Sequence, residues 1–204
     1  MNLLLDLDGT LVDTNASKFD DIKFGRDRNF ALSDIPIVPG AMDFVAEIKR
    51  RGHPVAIISD SHAAYVGPVS EKVFETPWLA LADKPNTAKV GAFLESEFGF
   101  PRHSLPEEFL FVGDTRLDIQ LARGLSLPSA LIFRGVDDVP HDPYHNEENS
   151  WARRHMEGAT YTCRSFEDLL QIVESPAKQR LVLEDPIGTA AARLHNGRNR
   201  NDGY

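Results

Sequence analysis

Short runs of apolar residues alternate along the chain with longer stretches whose apolar positions recur at helical spacing. Five of the runs are bounded by Gly, Pro or Asp, and most are rich in β-branched or aromatic residues. This composition predicts buried strands rather than segments of buried helices. The predicted strands cover residues 2–7, 54–59, 78–82, 109–113 and 130–133.

Five stretches between and after these runs have the apolar spacing of amphipathic helices. Residues 41–51, for example, place Phe44, Val45 and Ile48 on one stripe. Strands that alternate with helices predict βαβ units. We therefore predict an α/β fold, a doubly wound and mostly parallel sheet of about five strands with helices on both faces. The predicted helices cover 41–51, 63–74 (interrupted by Gly67 and Pro68), 87–98, 115–123 and 166–173.

The length of 204 residues suits one domain with a sizeable core. We predict a single core over residues 1–174. Within it, the polar segment 15–38 has the length of a small hairpin flap after the first strand, and 135–160 is predicted to be a long loop beside the ligand-binding edge of the sheet. The polar segment 175–204 is predicted to be a C-terminal tail, either frayed or binding a partner.

Composition and charge narrow the class of protein. The net charge of −9 disfavours general nucleic-acid binding, because it repels phosphate backbones. No apolar run approaches the roughly 18 residues of a membrane helix, so no membrane partner is expected. The single cysteine, Cys163, excludes an internal disulfide, and no secretory leader is evident. These features predict a cytoplasmic protein.

Polar residues collect directly after the predicted strands. The carboxyl ends of parallel strands meet along one edge of a sheet, and ligands bind in the crevice outside that edge. A lone aspartate there is as readily a turn or helix cap. Convergence from several strands is a stronger signal. The residues are Asp6, Asp8 and Thr10, then Ser59, Asp60, Ser61 and His62, then Asp83 and Lys84, and finally Asp114 and Asp118.

The spacing of the four carboxylates points to a bound cation. Asp6 and Asp8 are two residues apart, and Asp114 and Asp118 are four apart at the start of a predicted helix. Like charges this close are costly unless a cation or a proton lies between them. Carboxylate oxygens are the ligands that Mg²⁺ prefers, so we predict a magnesium site.

These segments also resemble the motifs of a known family. The sequence DLDGTLVD, which begins at Asp6, resembles the first motif of the haloacid dehalogenase-like (HAD) phosphatase superfamily. Ser59, Lys84 and the sequence GDTRLD from Gly113 match the later motifs in the expected order. The matches lie within residues 2 to about 134, and the first and last are the specific ones.

The resemblance implies a role for each residue. Asp6 is expected to attack phosphorus and form an aspartyl-phosphate, while Asp8 gives a proton to the leaving oxygen and later activates water. Thr10, Ser59 and Lys84, with backbone N–H groups near Asp60, are expected to bind the phosphoryl oxygens. The implied Mg²⁺ ligands are Asp6, Asp114, the backbone carbonyl of Asp8, and Asp118 directly or through water.

The resemblance also bears on the substrate. Dehalogenases of this superfamily generally lack an acid at the position of Asp8, because a halide leaves without a proton. The presence of Asp8 therefore favours phosphate chemistry.

The flap is too short for a helical cap domain, which predicts a capless or minimal-cap protein. Its open site then admits a bulky substrate or is covered by another subunit, either a second copy or a partner.

Three functions stay open at this point. The first is hydrolysis of a small phosphorylated metabolite or nucleotide. The second is dephosphorylation of a macromolecule, either a phosphoprotein or a nucleic-acid end. The third is a catalytically silent binding module with the same fold, against which the complete set of motif residues argues.

Overall fold

A computed structural model describes residues 1–14, 16–99, 109–132 and 158–174 of the chain. Most of the predicted loop over 135–160 and the whole predicted tail over 175–204 lie outside these ranges. Within the described residues, no helix has the length and apolarity needed to cross a membrane.

Six parallel strands form one sheet, in the order β3-β2-β1-β4-β5-β6. The α/β prediction is therefore confirmed, with one strand more than predicted. The first strand lies inside the sheet and pairs with both β2 and β4. The strands are β1 (Asn2–Leu5), β2 (Val55–Ile58), β3 (Trp78–Leu79), β4 (Phe109–Gly113), β5 (Ser129–Ile132) and β6 (Tyr161–Cys163).

Helices occupy the first four connections between the strands, and one more helix follows the last strand. All five predicted helices are present, with ends within a residue or two of the predicted bounds. The second is an α-helix that continues through Ser70–Phe74 as a π-helical turn. The helices are α1 (Asp20–Lys23), α2 (Ala41–Arg50), α3 (Ala63–Val69), α4 (Thr87–Phe98), α5 (Arg116–Gly124) and α6 (Phe166–Glu174).

Side-chain alternation along β1 divides the core into two layers. Leu3 and Leu5 point into one hydrophobic cluster and Leu4 points into the other, as the two-residue period of a strand requires. All three side chains are fully buried. Because β1 is covered on both faces, its Leu3–Leu5 run is apolar at every position rather than alternating with polar residues.

The helices are shared between the two faces. Those on the Leu3 side are α2, α3 and α6, which contribute residues such as Ile48, Val66 and Leu169. Those on the Leu4 side are α4 and α5, through Leu94 and Leu121. Helices on both faces of a parallel sheet leave its strand ends as the natural place for a site.

The third strand is shorter than predicted. It ends at Leu79, whereas the prediction extended to residue 82. Leu81 and Asp83 have positive φ angles of 50° and 61°, which no strand accommodates. The backbone turns here and carries Lys84 toward the centre of the sheet.

The flap consists of helical turns rather than the two strands of a hairpin. It contains 3₁₀ turns at Ser17–Phe19 and Leu32–Asp34 as well as α1. Only its base is paired, where Val12 and Ile37 form an antiparallel bridge. The flap is also attached to the start of α3, where the backbone N–H of His62 donates to the carbonyl of Lys23 at 2.7 Å.

Gly67 in α3 is required by a close approach of Trp78. A Cβ atom at position 67 would lie 2.9 Å from Cζ2 of the indole ring. We therefore expect Gly67→Ala to lower the free energy of unfolding by about 1–2 kcal/mol, because overpacking outweighs the better helix propensity of alanine. Urea denaturation measures the difference.

Trp78→Leu supplies the control for this prediction. Without the indole ring, the same Gly67→Ala change should cost close to nothing. An equal cost in both backgrounds would show that the backbone, not the ring, requires glycine at position 67.

Candidate active site

Asp6 follows the central strand directly and is the first residue past its end. Its backbone N–H donates to the carbonyl of Val112 at 2.8 Å, so β4 fixes the position of Asp6. The residue is 5% exposed. A carboxylate this buried needs a compensating partner, because burial penalises its charge.

Lys84 supplies that partner. Its ammonium contacts Oδ1 of Asp6 and lies 2.7 Å from Oδ1 of Asp118, and the side chain is only 4% exposed. Burial alone lowers the pKa of Lys84, but the charges and hydrogen bonds of Asp118 and Asp6 outweigh it and raise the pKa. Lys84 is therefore a fixed cation between two carboxylates.

Asp118 is both a site residue and a helix cap. Its Oδ2 accepts from the backbone N–H of Thr115 at 3.0 Å and from the Thr115 hydroxyl at 2.6 Å. The first of these bonds, together with the Asp118 backbone N–H donating to the Thr115 side chain, forms a capping box at the start of α5. The approach to β4 is close, since a Cβ at Gly113 would lie 2.3 Å from Cγ of Asp118. A glycine is required there for the carboxylate to reach Lys84.

Three carboxylates meet at this point in a way that suits a metal ion. Ligand atoms of Asp6, Asp114 and Asp118 all lie within 4.8 Å of one another. The Thr10 hydroxyl is 3.4 Å from both Oδ2 of Asp6 and Oδ1 of Asp114. With the ammonium of Lys84, the three carboxylates leave a formal charge of −2, which one Mg²⁺ neutralises.

Besides its burial, the other carboxylates of this cluster raise the pKa of Asp6 through their charges. Burial raises the pKa of Asp6 well above its ordinary value. The charge of Lys84 opposes this effect, and the charges of Asp118, Asp114 and Asp8 add to it. Asp6 therefore holds a proton more readily than an exposed aspartate does, and a cation bound in the cluster must compete with that proton.

Asp8 has a different environment. Its half-buried carboxylate accepts hydrogen bonds from four hydroxyl groups rather than from a cation. Thr14 and Tyr65 donate to Oδ1 at 2.5 Å and 3.0 Å. Ser61 and Ser59 donate to Oδ2 at 2.8 Å and 3.2 Å. Burial, followed by the charge of Asp8, raises the pKa of Tyr65, so its phenol stays protonated and remains a donor.

The residues predicted from the sequence thus fall into two adjoining groups. Asp6, Thr10, Lys84, Asp114 and Asp118 form the carboxylate cluster. Ser59 contacts Asp8 in the second group. Asp60 is exposed, and its Oδ1 accepts the backbone N–H of Lys84 at 2.9 Å, so its side chain fixes the Lys84 turn. The phosphate-binding and metal-binding roles of these residues stay predictions.

Two residues around Asp8, Thr14 and Tyr65, were not predicted to belong to the site. Ser61 was among the polar residues expected at this edge of the sheet, without a role of its own. Thr14 follows the first motif without any distinguishing pattern. Tyr65 occupies a core position of an amphipathic helix, so its sequence context indicates packing rather than chemistry.

No family model matches the chain, and no curated protein matches it. The structure is nevertheless similar to solved structures of HAD-superfamily hydrolases. A predicted phosphoglycolate phosphatase from Haemophilus somnus shares 16% identity at a TM-score of 0.59, over 84% of this chain and 97% of that one.

Two further structures show the range of chemistry associated with this fold. The D,D-heptose 1.7-bisphosphate phosphatase from B. bronchiseptica, complexed with magnesium and phosphate, is 16% identical with a TM-score of 0.58, over 84% of this chain and 99% of that one. A dehalogenase is 14% identical with a TM-score of 0.56, over 84% of this chain and 96% of that one. These likenesses show that the chain has the HAD fold, and the chemistry must be argued from its side chains.

The carboxylate cluster predicts a pH-dependent stabilisation by Mg²⁺. The folded-state pKa of Asp6 is raised, so below that pKa a proton occupies the carboxyl and opposes the metal, and above it the carboxylate is ionised. The increase in the free energy of unfolding on adding Mg²⁺ should therefore grow as the pH rises through this raised pKa, above the range in which an exposed aspartate titrates. It should reach about 2.7 kcal/mol at 100 times the Kd. Urea denaturation with and without Mg²⁺ measures it.

Asp114→Asn and Asp43→Asn form a matched pair of controls. Asp43 is an exposed acid in the first turn of α2, outside the cluster, and its variant should respond to Mg²⁺ like the unaltered protein. Asp114→Asn should lose most of the response. An equal response in both variants would place the metal elsewhere.

Proposed function

We propose that the protein is a Mg²⁺-dependent phosphomonoester hydrolase that acts through an aspartyl-phosphate on Asp6. One observation carries the proposal. Two carboxylates only two residues apart in the chain have opposite environments, because Asp6 is held by a buried ammonium and Asp8 by hydroxyl groups. Carboxylates in contrasting environments are suited to different roles, here nucleophile and acid or base.

The residues present fit a bound magnesium ion, with Asp6 and Asp114 as the best candidates for direct ligands. Both oxygens of Asp118 are already engaged, Oδ1 by Lys84 and Oδ2 by Thr115, so Asp118 is better suited to contact through water. When bound, Mg²⁺ offsets the repulsion between the carboxylate nucleophile and the anionic phosphate.

The first step forms a bond from a carboxylate oxygen of Asp6 to phosphorus and breaks the bond to the leaving oxygen. Lys84 holds the nucleophile in position and contributes positive charge beside the developing negative charge. Asp8 in its protonated form gives its proton to the leaving oxygen, which departs as an alcohol.

The second step hydrolyses the intermediate. Asp8, now ionised, takes a proton from a water molecule that attacks phosphorus, and the bond from phosphorus to Asp6 breaks. Inorganic phosphate and the free carboxylate of Asp6 result. In this proposal the Ser59 hydroxyl binds a phosphoryl oxygen, and its position at the end of β2 beside Asp8 supports this role.

The choice of phosphate over halide rests on Asp8. The fold alone does not decide, since a dehalogenase shares it. Displacement of a halide from carbon needs no proton donor, whereas an alkoxide leaving group does. An acidic side chain held by four hydroxyl groups is therefore useful to a phosphatase and superfluous to a dehalogenase.

A small phosphorylated metabolite is the substrate class that we favour. Two of the similar structures are phosphatases whose names give small phosphorylated substrates. The net charge of −9 disfavours a nucleic-acid end. The flap consists of short helical turns and is smaller than a folded cap domain.

The test is hydrolysis of a panel of phosphoesters with and without Mg²⁺. We expect release of phosphate from p-nitrophenyl phosphate and from small sugar or organic-acid phosphates, with less from phosphopeptides and from 3′- or 5′-phosphorylated oligonucleotides. Asp6→Asn should lower kcat by at least about 10³-fold, because it removes the nucleophile. Asp43→Asn should leave kcat unchanged.

Trapping the intermediate gives a more direct measurement. Acid quenching during turnover followed by peptide mass spectrometry should find phosphate on Asp6. Absence of turnover on the whole panel would instead support a catalytically silent binding module. Turnover with no label on Asp6 would contradict the two-step mechanism while leaving a phosphatase.

A further inference from the structure

The hydroxyl groups around Asp8 divide between its two carboxylate oxygens. Thr14 and Tyr65 both donate to Oδ1, at 2.5 Å and 3.0 Å. Ser61 and Ser59 both donate to Oδ2, at 2.8 Å and 3.2 Å. Each oxygen therefore has its own pair of donors, and the pairs differ in character.

The pair on Oδ1 is rigid. Thr14 and Tyr65 are both fully buried, and their hydroxyl oxygens lie 3.3 Å apart. The Tyr65 backbone N–H donates to the carbonyl of His62 at 2.9 Å in the first turn of α3. The ring of Phe30, from the flap, meets the Tyr65 ring edge-on with centroids 5.9 Å apart. These contacts hold the ring from several sides with its hydroxyl at Asp8.

The pair on Oδ2 consists of two serines and is adaptable. Ser61 is only half-buried, whereas Ser59 is buried and its hydroxyl also accepts the backbone N–H of Ser61 at 3.0 Å. Ser59 stands at the strand end where we propose that phosphate binds. A serine hydroxyl rotates readily and either donates or accepts a hydrogen bond. Oδ2 is therefore able to carry a proton, with a serine as acceptor, while Oδ1 keeps both of its donors in either protonation state.

We propose that Tyr65 is a positioning residue that, together with Thr14, clamps Oδ1 of Asp8 so that Oδ2 is the oxygen that transfers the proton. The inference rests on the proposed phosphatase function and deepens it. In the first step, the bond from phosphorus to the leaving oxygen breaks with its electron pair on that oxygen, and the Oδ2 proton moves to it. In the second step, Oδ2 takes a proton from the attacking water.

The test compares leaving groups in the variant Tyr65→Phe, which removes the hydroxyl and keeps the ring. The measured quantity is kcat/KM, because it covers only the steps up to formation of the aspartyl-phosphate. Ethyl phosphate needs a proton on its leaving oxygen, whereas p-nitrophenolate departs as an anion. We expect kcat/KM for ethyl phosphate to fall on the order of 10- to 100-fold, because a small misplacement of a catalytic group costs about this much in rate. For p-nitrophenyl phosphate the loss should stay within about threefold.

Tyr161→Phe is the matched control. Tyr161 lies at the start of β6 and is 5% exposed, so its variant removes another buried phenol hydroxyl far from Asp8. It should lower kcat/KM for neither substrate. Thr14→Val removes the second donor to Oδ1 and should reproduce the dependence on leaving group. It also keeps the test available if Tyr65→Phe does not fold.

A double-mutant cycle shows whether Tyr65 acts through Asp8. Phenyl phosphate, with a leaving group of pKa about 10, is a suitable intermediate substrate. In an Asp8→Asn background, Tyr65→Phe should cost less than about twofold in kcat/KM, because the proton donor is already absent. A purely structural role would give the full loss in both backgrounds.

The outcomes separate this inference from the function on which it rests. Wild-type turnover with equal losses for ethyl and p-nitrophenyl phosphate in Tyr65→Phe, or additive losses in the cycle, would overturn the clamp and leave the phosphatase. No wild-type turnover on any phosphoester would overturn both. A loss that grows with the basicity of the leaving group and disappears in Asp8→Asn supports the clamp.

Discussion

The burial of Asp6 and Asp118 around a single ammonium, with the half-buried Asp114 beside them, is the constraint on which the site depends. A buried carboxylate is unfavourable unless a cation or a proton compensates it. Lys84 compensates two of the three, and the remaining negative charge makes the cluster a receptor for a divalent cation. Several features of the fold serve this arrangement. The short third strand and the positive φ of Asp83 bring Lys84 to the cluster, and Gly113 lets Asp118 approach β4.

The hydroxyl shell of Asp8 answers a different physical requirement. A group that alternates between acid and base has to tolerate both protonation states, and a fixed ammonium beside it would oppose protonation strongly. Hydroxyl groups exchange donor and acceptor roles at little cost. The structure provides one ammonium for Asp6 and hydroxyl groups for Asp8, so each carboxylate has the type of partner that its proposed role requires.

The sequence predicted the parts of this arrangement that local patterns encode. Strands such as β1 and β4 are long apolar runs, and the aspartates that follow them stand out by spacing. The edge strand β6 was missed because it has only three residues and lacks such a run. Two donors of the hydroxyl shell, Thr14 and Tyr65, were missed for another reason. Tyr65 comes from a helix on one face of the sheet, and only the tertiary packing of α3 against the first motif brings its phenol to Asp8.

The two-residue spacing of Asp6 and Asp8 raises a geometric question that the structure resolves. Within a strand, residues two apart point to the same face, and their charges would lie side by side. Here the strand ends at Leu5, before either aspartate. The backbone then turns, with hydrogen bonds from Leu11 to Leu7 at 2.9 Å and from Gly9 to Val12 at 2.7 Å. Gly9 has a φ of 83°, which only glycine adopts readily. The turn sends one carboxylate to Lys84 and the other to α3, so the spacing that marks the motif in the sequence works because the strand stops short of it.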